Sequence, residues 1–327
     1  MHILITGAAG MIGRKLTERL VMDRALGNDL IDKLTLLDVV APARPAGFSD
    51  HVKTRAADLA DPGVAVKAIS ERPEVIFHLA GVVSGEAELD LEKGYRVNLD
   101  GSRALLEAIR AVGDGYKPKL VYTSSMAVFG APFPETIGDD FHLTPLTSYG
   151  TQKAMIELML ADYTRRGFFE GVGIRFPSIV VRPGKPNRAA SGFFSGIIRE
   201  PLAGQDAILP VPDTVVHTHA SPRSAIGFLL HAAGLARDKL GDRINLNMPG
   251  VSCTVAEQIE ALRRIAGPKV AGRIRREPDA LIMRIVDGWP HRIDAKRARA
   301  LGFRVESSFD EIIRAHIEDE LGGKIAA

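Results

Sequence analysis

The first half of the chain alternates short apolar runs with longer segments of helical spacing, and this alternation restricts the fold more than any other feature. Strands that alternate with helices are typical of a parallel sheet covered by helices on both faces. The predicted strands are His2 to Thr6, Lys33 to Leu37, Val52 to Ala56, Val75 to Leu79, Leu120 to Thr123 and Val172 to Phe176. The predicted helices are Met11 to Met22, Val64 to Ile69, Glu88 to Ala111 and Tyr149 to Thr164. The sequence therefore predicts an α/β fold with a doubly wound parallel sheet.

The regular pattern ends near Arg182, where prolines and glycines begin to interrupt every long periodic stretch. Regular segments return at Ser224 to Ala236 and at Ile244 to Asn247. We therefore expect one sheet domain and a smaller, discontinuous C-terminal lobe that binds the substrate. The expected boundaries are residues 1–183, rejoined by about 215–250, for the domain and residues 184–214 and 251–327 for the lobe.

The balance of charges and the cysteine count exclude several classes of protein. The chain has 42 Lys and Arg against 40 Asp and Glu, and this net charge of +2 is too small to indicate a nucleic-acid or membrane-surface protein. Cys253 is the only cysteine, which excludes an intrachain disulfide and favours a reducing cytoplasm. The sequence has neither a signal-peptide pattern nor an apolar run near the roughly 20 residues of a membrane span. The expected partner is a small molecule.

Two histidines, His217 and His219, alternate along the chain and could share one face of a strand. Metal sites in proteins use three or more side chains, and no Cys, Asp or Glu adjoins this pair. No metal is therefore expected.

A glycine-rich turn follows the first predicted strand and opens the first predicted helix. Its glycines, Gly7, Gly10 and Gly13, permit a tight turn, and the N–H groups at a helix N-terminus bind phosphate. Met11 and Ile12 occupy the first helical positions. A glycine turn by itself is also compatible with a purely structural loop, so its context has to decide.

The context is an acidic residue, Asp38, directly after the second predicted strand. At this place a carboxylate accepts hydrogen bonds from the adenosine ribose and repels a 2′-phosphate, which favours NAD over NADP. The alternative role for Asp38 is that of a turn residue at a strand end. Arg44 is the nearby cation that could weaken the preference for NAD.

Tyr149 and Lys153 are the candidates for proton transfer, because a spacing of four residues places them on one face of a helix. A neighbouring ammonium and the positive nicotinamide of NAD⁺ would lower the pKa of the phenol toward the working range. Ser125, at the carboxyl end of the fifth predicted strand, could orient the substrate oxygen, and Ser124 is an adjacent hydroxyl. The alternatives are a surface Tyr and Lys and two serines that cap a helix or a turn.

The order of these motifs resembles the extended short-chain dehydrogenase/reductase family, also called the NAD-dependent epimerase/dehydratase family. The match includes His78-Leu79-Ala80-Gly81 and Asn98 and is good over residues 1 to about 183. The resemblance implies a Rossmann-like fold, NAD as cofactor and a homodimer formed by the helices after Glu88 and Tyr149. It also implies cofactor contacts for several groups of residues: Asp58 and Leu59 at the adenine, Leu79, Ala80 and Gly81 along the cofactor, Asn98 behind that loop, Lys153 at the nicotinamide ribose, and Pro177 and Ser178 at the nicotinamide.

The residues after the serine pair help to place the chain within that family. Dehydratases of the family carry Asp-Glu there, whereas this chain has Met126-Ala127, which argues against dehydration as its reaction. Residues 175–180 and 289–294 resemble the threonine dehydrogenase branch more than the nucleotide-sugar epimerases. Residues 78–88 are similar to the branch that oxidises the C2 hydroxyl of a four-carbon sugar acid.

A sugar-acid substrate requires a cation, because a guanidinium holds a carboxylate with two hydrogen bonds. The candidates are Arg182, Arg223 and Arg292, each of which could equally be an ordinary surface residue, and Ser84 could bind a substrate hydroxyl. Two other functions remain open at this point. One is a nucleotide-sugar 4-epimerase that returns its hydride to the same sugar. The other is a non-catalytic NAD-sensing protein, which an intact set of Ser125, Tyr149 and Lys153 argues against.

Overall fold

The structure is a computed structural model that describes residues 1–184 and 191–326. Residues 185–190, near the start of the expected second lobe, lie outside the described residues. The described chain divides into two compact units, which are treated separately below. The first unit contains Met1–Val128, Thr147–Arg175 and Ile226–Leu246, and the second contains Phe129–Leu146, Phe176–Ala225 and Asn247–Ala327.

A seven-stranded sheet forms the centre of the fold. Its strands, in spatial order, are Asn245–Asn247, Glu170–Phe176, Lys119–Ser125, Val75–His78, His2–Thr6, Lys33–Asp38 and Val52–Ala56. The four pairings among the last five of these strands are parallel. The six predicted strands are therefore confirmed to within three residues at each end, and so is the doubly wound parallel sheet.

The chain begins at the centre of this sheet and builds outward in both directions. From His2–Thr6 it adds Lys33–Asp38 and Val52–Ala56 on one side, then crosses back to add Val75–His78 on the other. The strand order reverses between His2–Thr6 and Val75–His78, and in open parallel sheets the carboxyl ends of such strands form the ligand-binding crevice. The glycine turn and Leu79 follow these two strands directly.

The helices of the first unit run beside the sheet. Ser148–Arg165 is the longest, with 18 residues. Thr147 is its N-cap, and the Thr147 side chain accepts a hydrogen bond from the Gly150 N–H at 3.1 Å. Other regular elements of this part of the chain are the helices Met11–Asp23, Val64–Ile69, Pro222–Gly234 and Arg237–Leu240, the 3₁₀ turns Ser49–His51 and Met126–Val128, and the hairpin Ala25–Leu26 with Asp29–Leu30.

The predicted single helix from Glu88 to Ala111 is wrong. The structure has helices at Ser84–Leu89, Leu91–Gly94 and Ser102–Val112, with a π-helical segment at Tyr95–Gly101. Asp90 causes the first break, because its side chain accepts a hydrogen bond from the Lys93 N–H at 3.0 Å and so starts a new helix. Helical periodicity alone does not reveal such an internal cap.

The second unit contains short strands and helices around a core of its own. Phe194, Ile197, Leu262 and Ile312 are each at most 1% exposed in this core. In one of its sheets, Val216–Ala220 lies between Ser178–Ile179, to which it is parallel, and Val251–Thr254, to which it is antiparallel. The other pairs are Ala207–Leu209 with Ile274–Arg276, and Thr136–Ile137 with Arg292–Ile293. Its helices are Gly192–Leu202, Val255–Ala266, Pro268–Ala271, Ala280–Asp287, Lys296–Ala300 and Phe309–Leu321.

Among the described residues, no helix combines the length and the apolar character needed to cross a membrane. Residues 129–146 belong to the second unit although they lie within the part of the sequence assigned above to one domain. The role of either unit in binding the substrate stays a prediction.

Candidate functional site

The glycine turn is packed so closely that two of its glycines have no room for a side chain. A Cβ on Gly7, whose φ is +75°, would lie 2.6 Å from the Ala80 nitrogen, and a Cβ on Gly13 would lie 2.3 Å from the Gly7 carbonyl oxygen. At Gly10 the nearest atom would be 3.3 Å away. The turn is thus a backbone cradle that ends at the N-terminus of Met11–Asp23, where the first helical N–H groups have no partner within the helix. These residues fit the pyrophosphate of a dinucleotide.

Asp38 lies beside this cradle. One of its carboxylate oxygens accepts a hydrogen bond from the Ala9 N–H at 2.9 Å, and the other accepts from the Val40 N–H at 3.4 Å. The strand-end turn role and the cofactor role are therefore compatible, since a carboxylate has lone pairs for both. Arg44, the cation that could oppose it, is exposed.

Asn98 ties the loop after Val75–His78 to the helix that carries Tyr149 and Lys153. Its side-chain oxygen accepts from the Val82 N–H at 2.9 Å, and its amide donates to the Gln152 oxygen at 2.8 Å. Asn98 and Gln152 are 1% and 0% exposed. These contacts agree with the predicted role of Asn98 in supporting the loop. The sequence motifs did not indicate Gln152 as the second partner of Asn98.

Ser125, Tyr149 and Lys153 lie together at the carboxyl edge of the sheet. The Ser125 hydroxyl lies close enough to the Tyr149 phenol to influence its pKa. The Lys153 ammonium donates to the Thr123 carbonyl oxygen at 2.8 Å and lies 5.7 Å from the centre of the Tyr149 ring. The three residues come from one strand end and one helix face, as the spacing predicts.

The pKa values in this cluster are dominated by burial. Burial raises the pKa of Tyr149 to about 12, and the hydrogen bond from Ser125 opposes this rise. Burial also lowers the pKa of Lys153 to about 8, and Glu157 opposes that change. The lowering of the Tyr149 pKa expected from Lys153 is not found in the protein chain by itself.

Ser124 points away from the catalytic candidates and into a buried ion pair. Its hydroxyl donates to a Glu157 carboxylate oxygen at 2.5 Å, and the Arg175 guanidinium donates to both oxygens of that carboxylate, at 2.6 to 3.1 Å. Glu157 is 0% exposed. The side chain of Ser124 is thus engaged in the core, which leaves its backbone for any contact with a cofactor. The sequence motifs do not indicate Glu157, although this residue follows Lys153 by one helical turn.

The residues expected at the adenine, Asp58 and Leu59, follow the strand Val52–Ala56 in the first unit. Asp58 accepts from Arg96 at 2.6 Å and from the Ala60 N–H at 2.9 Å, and Leu59 is 5% exposed. Arg96 also pairs with Asp61. Ser84 is the first residue of the helix Ser84–Leu89 and is partly exposed.

The second unit carries the other predicted residues. Pro177 lies directly before the strand Ser178–Ile179, and the Ser178 hydroxyl contacts His217 at 2.7 Å. Arg223 forms ion pairs with Glu318 and Asp319, at 2.9 and 2.5 Å, so the prediction that it binds a carboxylate substrate is disfavoured.

The other two arginine candidates differ from Arg223. Within the described ranges, neither Arg182 nor Arg292 forms an ion pair with a carboxylate. Arg182 is largely buried, and burial together with the charge of Arg199 lowers its pKa. The Arg199 guanidinium is held by Glu200 and by the Arg182 carbonyl oxygen. A buried guanidinium without a carboxylate partner has the chemistry of an anion site.

Across residues 1–184 and 191–326, no group of three or more His, Cys, Asp or Glu side chains is placed to hold a metal ion. His217 and His219 instead pack on each other, with ring centres 5.3 Å apart.

Comparison with known proteins decides the family. The model of the NAD dependent epimerase/dehydratase family matches residues 3–222. The chain belongs to this family. The expected extended short-chain dehydrogenase/reductase is therefore confirmed, and the glycine cradle with Asp38 fits the cofactor that the name of the family gives.

Two relatives are similar over nearly the whole chain. The D-erythronate dehydrogenase of Cupriavidus necator is 49% identical over 324 residues, which cover 98% of each chain. The D-erythronate dehydrogenase of Haemophilus influenzae is 40% identical, over 98% of this chain and 100% of that one. These relatives confirm the expectation of an NAD-dependent dehydrogenase that acts on a small molecule.

Two solved structures are also similar. One, described as a nucleoside-diphosphate-sugar epimerase from Agrobacterium tumefaciens, is 64% identical with a TM-score of 0.98 and covers 100% of this chain and 96% of its own. The other, an L-threonine dehydrogenase from Cupriavidus necator, has a TM-score of 0.85 over 98% and 99% of the two chains. At 24% identity the second likeness concerns the fold alone.

Replacing Glu157 by Gln should destabilise the protein, because it leaves the Arg175 guanidinium buried without its counter-charge. Removal of one partner of a buried ion pair costs about 3 kcal/mol or more. Urea or guanidinium unfolding of the purified variant measures this loss. Asp162→Asn is the matched control, since Asp162 lies on the same helix in an exposed pair with Arg165 and should change stability much less. Equal effects of the two substitutions would contradict the interpretation.

Proposed function

We propose that this enzyme oxidises the C2 hydroxyl of D-erythronate to the 2-keto acid with NAD as the hydride acceptor. The observation that carries the proposal is the cluster of Ser125, Tyr149 and Lys153 at the sheet edge that also holds the glycine cradle. The names of the two full-length relatives support the choice of acid.

In this proposal Tyr149 is the base. NAD, when bound, supplies the acceptor for the hydride and a positive charge near the phenol. Tyr149, as the phenolate, takes the hydroxyl proton of the substrate and becomes a neutral phenol, and a hydrogen bond donated by Ser125 favours the phenolate. Lys153 keeps its place through the Thr123 carbonyl and adds a second positive charge on the same helix face.

The carboxylate of the substrate would be held by an arginine. Arg182 is the stronger candidate, because its guanidinium is largely buried and has no carboxylate partner among the described residues. Arg292 is the other, since it also forms no carboxylate pair within that part of the chain. Ser84 remains a candidate for a substrate hydroxyl, and Pro177 and Ser178 for contacts with the nicotinamide.

A nucleotide-sugar 4-epimerase is the second candidate function, favoured by the description of the structure that is 64% identical. Such an enzyme uses the same base and the same cofactor but returns the hydride, so it releases no reduced cofactor. A non-catalytic NAD sensor has no requirement for Ser125, Tyr149 and Lys153 to lie in contact.

A panel of substrates separates these functions. Purified enzyme with NAD should release NADH and a 2-keto acid from D-erythronate, and should leave nucleoside-diphosphate sugars unchanged. NADH absorbance and product analysis measure both outcomes, with four-carbon and five-carbon aldonic acids as the comparison. Interconversion of a nucleotide sugar without NADH release would support the epimerase, whereas oxidation of another small hydroxy acid would overturn only the choice of acid.

The same assay with NADP tests the role of Asp38. The catalytic efficiency with NAD should exceed that with NADP by at least tenfold, because the carboxylate beside Ala9 repels a 2′-phosphate. Asp38→Asn keeps the shape of the side chain and should reduce the difference in catalytic efficiency between NAD and NADP. A wild type that uses both cofactors equally well would contradict this proposal.

Tyr149→Phe should abolish the chemistry and leave the cofactor bound. The variant loses the ionisable oxygen with little change in volume, so turnover should fall roughly 100-fold or more while NAD affinity persists. Lys153→Met should lower both the turnover and the affinity for NAD. In the wild type, activity should rise with pH through an apparent pKa below about 10, the value of a free phenol.

The control for this substitution lies on the same helix. Tyr163 has a hydroxyl bonded to Glu107 at the edge of the protein, so Tyr163→Phe should keep nearly full activity. Initial rates and NADH-binding fluorescence measure the two variants side by side. Equal turnover of Tyr149→Phe and Tyr163→Phe would remove Tyr149 as the base.

We also propose a homodimer in the cytoplasm. Leu158, on the helix that carries Tyr149, is 65% exposed, and Leu89 and Leu91 are 79% and 57% exposed, which gives these helices apolar surface for a second copy. The single cysteine, Cys253, is buried and free, as suits a reducing compartment. A solution mass of one chain, 35.3 kDa, at micromolar concentration would contradict the dimer.

A further inference from the structure

His217 lies in the second unit as a buried polar side chain between aromatic rings. Its ring is stacked on Phe194, with centres 5.2 Å apart and an angle of 3° between the planes, and it lies 5.4 Å from the Trp289 ring. Only 7% of the residue is exposed. A histidine in such a place has little freedom to rotate, so its two nitrogens keep fixed directions.

The two hydrogen bonds of this ring determine which nitrogen carries the proton. Nδ1 lies 3.2 Å from the Pro290 carbonyl oxygen, and a carbonyl can only accept, so Nδ1 must donate. Burial lowers the pKa of His217 to about 4, which keeps the ring neutral near pH 7. A neutral imidazole has one proton, so Nε2 is left as an acceptor.

The tautomer of His217 in turn determines the direction of the Ser178 hydroxyl. Ser178 Oγ lies 2.7 Å from His217 Nε2, so the serine donates its single proton to the ring. Its oxygen then offers only lone pairs to any other group. Ser178 is partly exposed, and this leaves the oxygen within reach of a ligand.

We propose that His217 is a positioning residue that holds Ser178 as a hydrogen-bond acceptor for an N–H or O–H donor on a bound ligand. The inference rests on the proposed function for the identity of the ligand, which has two such donors: the amide of the nicotinamide and the hydroxyls of the hydroxy acid. Ser178 follows Glu170–Phe176, a strand of the central sheet, by two residues, and ligands of open α/β sheets gather beyond the carboxyl ends of their strands.

This arrangement selects against ligands that present an acceptor at the same point. An oxygen without a proton would face the lone pairs of Ser178, and neither group could donate. The Pro290 carbonyl is therefore part of the specificity, because it fixes the ring from the side opposite to Ser178.

The tautomer itself is the first test, and it requires neither substrate nor activity. Protein labelled with ¹⁵N-histidine should give an His217 signal with the proton on Nδ1 throughout pH 6 to 9, assigned by its loss in His217→Gln. A proton on Nε2 would overturn the proposal, since Ser178 would then accept from the ring and donate to the ligand.

A double-mutant cycle is the second test. His217→Phe keeps a stacked ring of similar size but releases Ser178, and Ser178→Ala removes the acceptor. Each should raise the KM for the acid or the dissociation constant of NADH about fivefold to tenfold, while Tyr149-dependent turnover at saturation changes less. His217→Gln, whose amide can serve both partners, should restore part of the loss.

Coupling between the two residues separates positioning from a purely structural role. If His217 acts through Ser178, His217→Phe should have almost no further effect in the Ser178→Ala background. Additive effects, or no effect of Ser178→Ala, would overturn the proposal. Thermal unfolding of the same variants identifies any that are merely unstable, and Ser178→Ala and the tautomer measurement still decide in that case.

Two ligand analogues identify the donor. An NAD analogue with an acetyl group in place of the carboxamide lacks the N–H, and hydroxy acids without the 3- or 4-hydroxyl lack an O–H. The effect of Ser178→Ala should vanish with one of these probes, and persistence with all of them would overturn the assignment of a ligand donor. If the wild type oxidises a different acid, the proposed substrate is wrong. The double-mutant cycle is then run with that acid, and it still tests whether His217 acts through Ser178.

Discussion

The burial of the Lys153 ammonium is the constraint on which the site depends. An ammonium that is 5% exposed loses most of its hydration and must be stabilised by the protein. The Thr123 carbonyl accepts from it at 2.8 Å, and the ring of Tyr122 lies 4.8 Å away. Glu157, one helical turn further along, favours its charged form. These interactions hold the end of Lys119–Ser125 and the helix Ser148–Arg165 together, so that Ser125 and Tyr149 lie close to each other.

The same electrostatic demand explains why so many polar groups in the first unit are buried in pairs. Glu157 satisfies Arg175 and Ser124 at once, and His78 is bonded to Thr6 at 2.7 Å and to Ser102 at 2.9 Å. Burial lowers the pKa of His78 to about 3, so it remains a neutral link between two elements. Such networks are rigid because each partner would lose a hydrogen bond on moving. The network around Glu157 joins the helix that carries Tyr149 to two strands of the central sheet.

Much of this molecule could be predicted from local patterns. The strands, the glycine cradle, Asp38 and the shared face of Tyr149 and Lys153 follow from periodicity and fixed spacing, which depend on neighbours in the chain. The break at Asp90 escaped prediction, because a side chain that caps the next turn looks like any other polar residue in a helical pattern. The ion pairs of Arg223 escaped as well, since Glu318 and Asp319 are distant in sequence. The sequence therefore suggested three arginines as ligands of the substrate carboxylate, and the structure pairs one of them, Arg223, with carboxylates of the protein itself.

The sequence by itself determined the doubly wound sheet and indicated Ser125, Tyr149 and Lys153 as the candidate catalytic residues, because both depend on short-range spacing along one strand or one helix face. The tertiary structure alone decided which polar groups are buried and what they contact. It turned Ser124 toward Glu157, joined Asn98 to Gln152 and placed the Ser178 hydroxyl against His217. These partners lie 33 to 54 residues apart, and a hydrogen bond between distant residues exists only once the chain has packed and water has been removed from both groups.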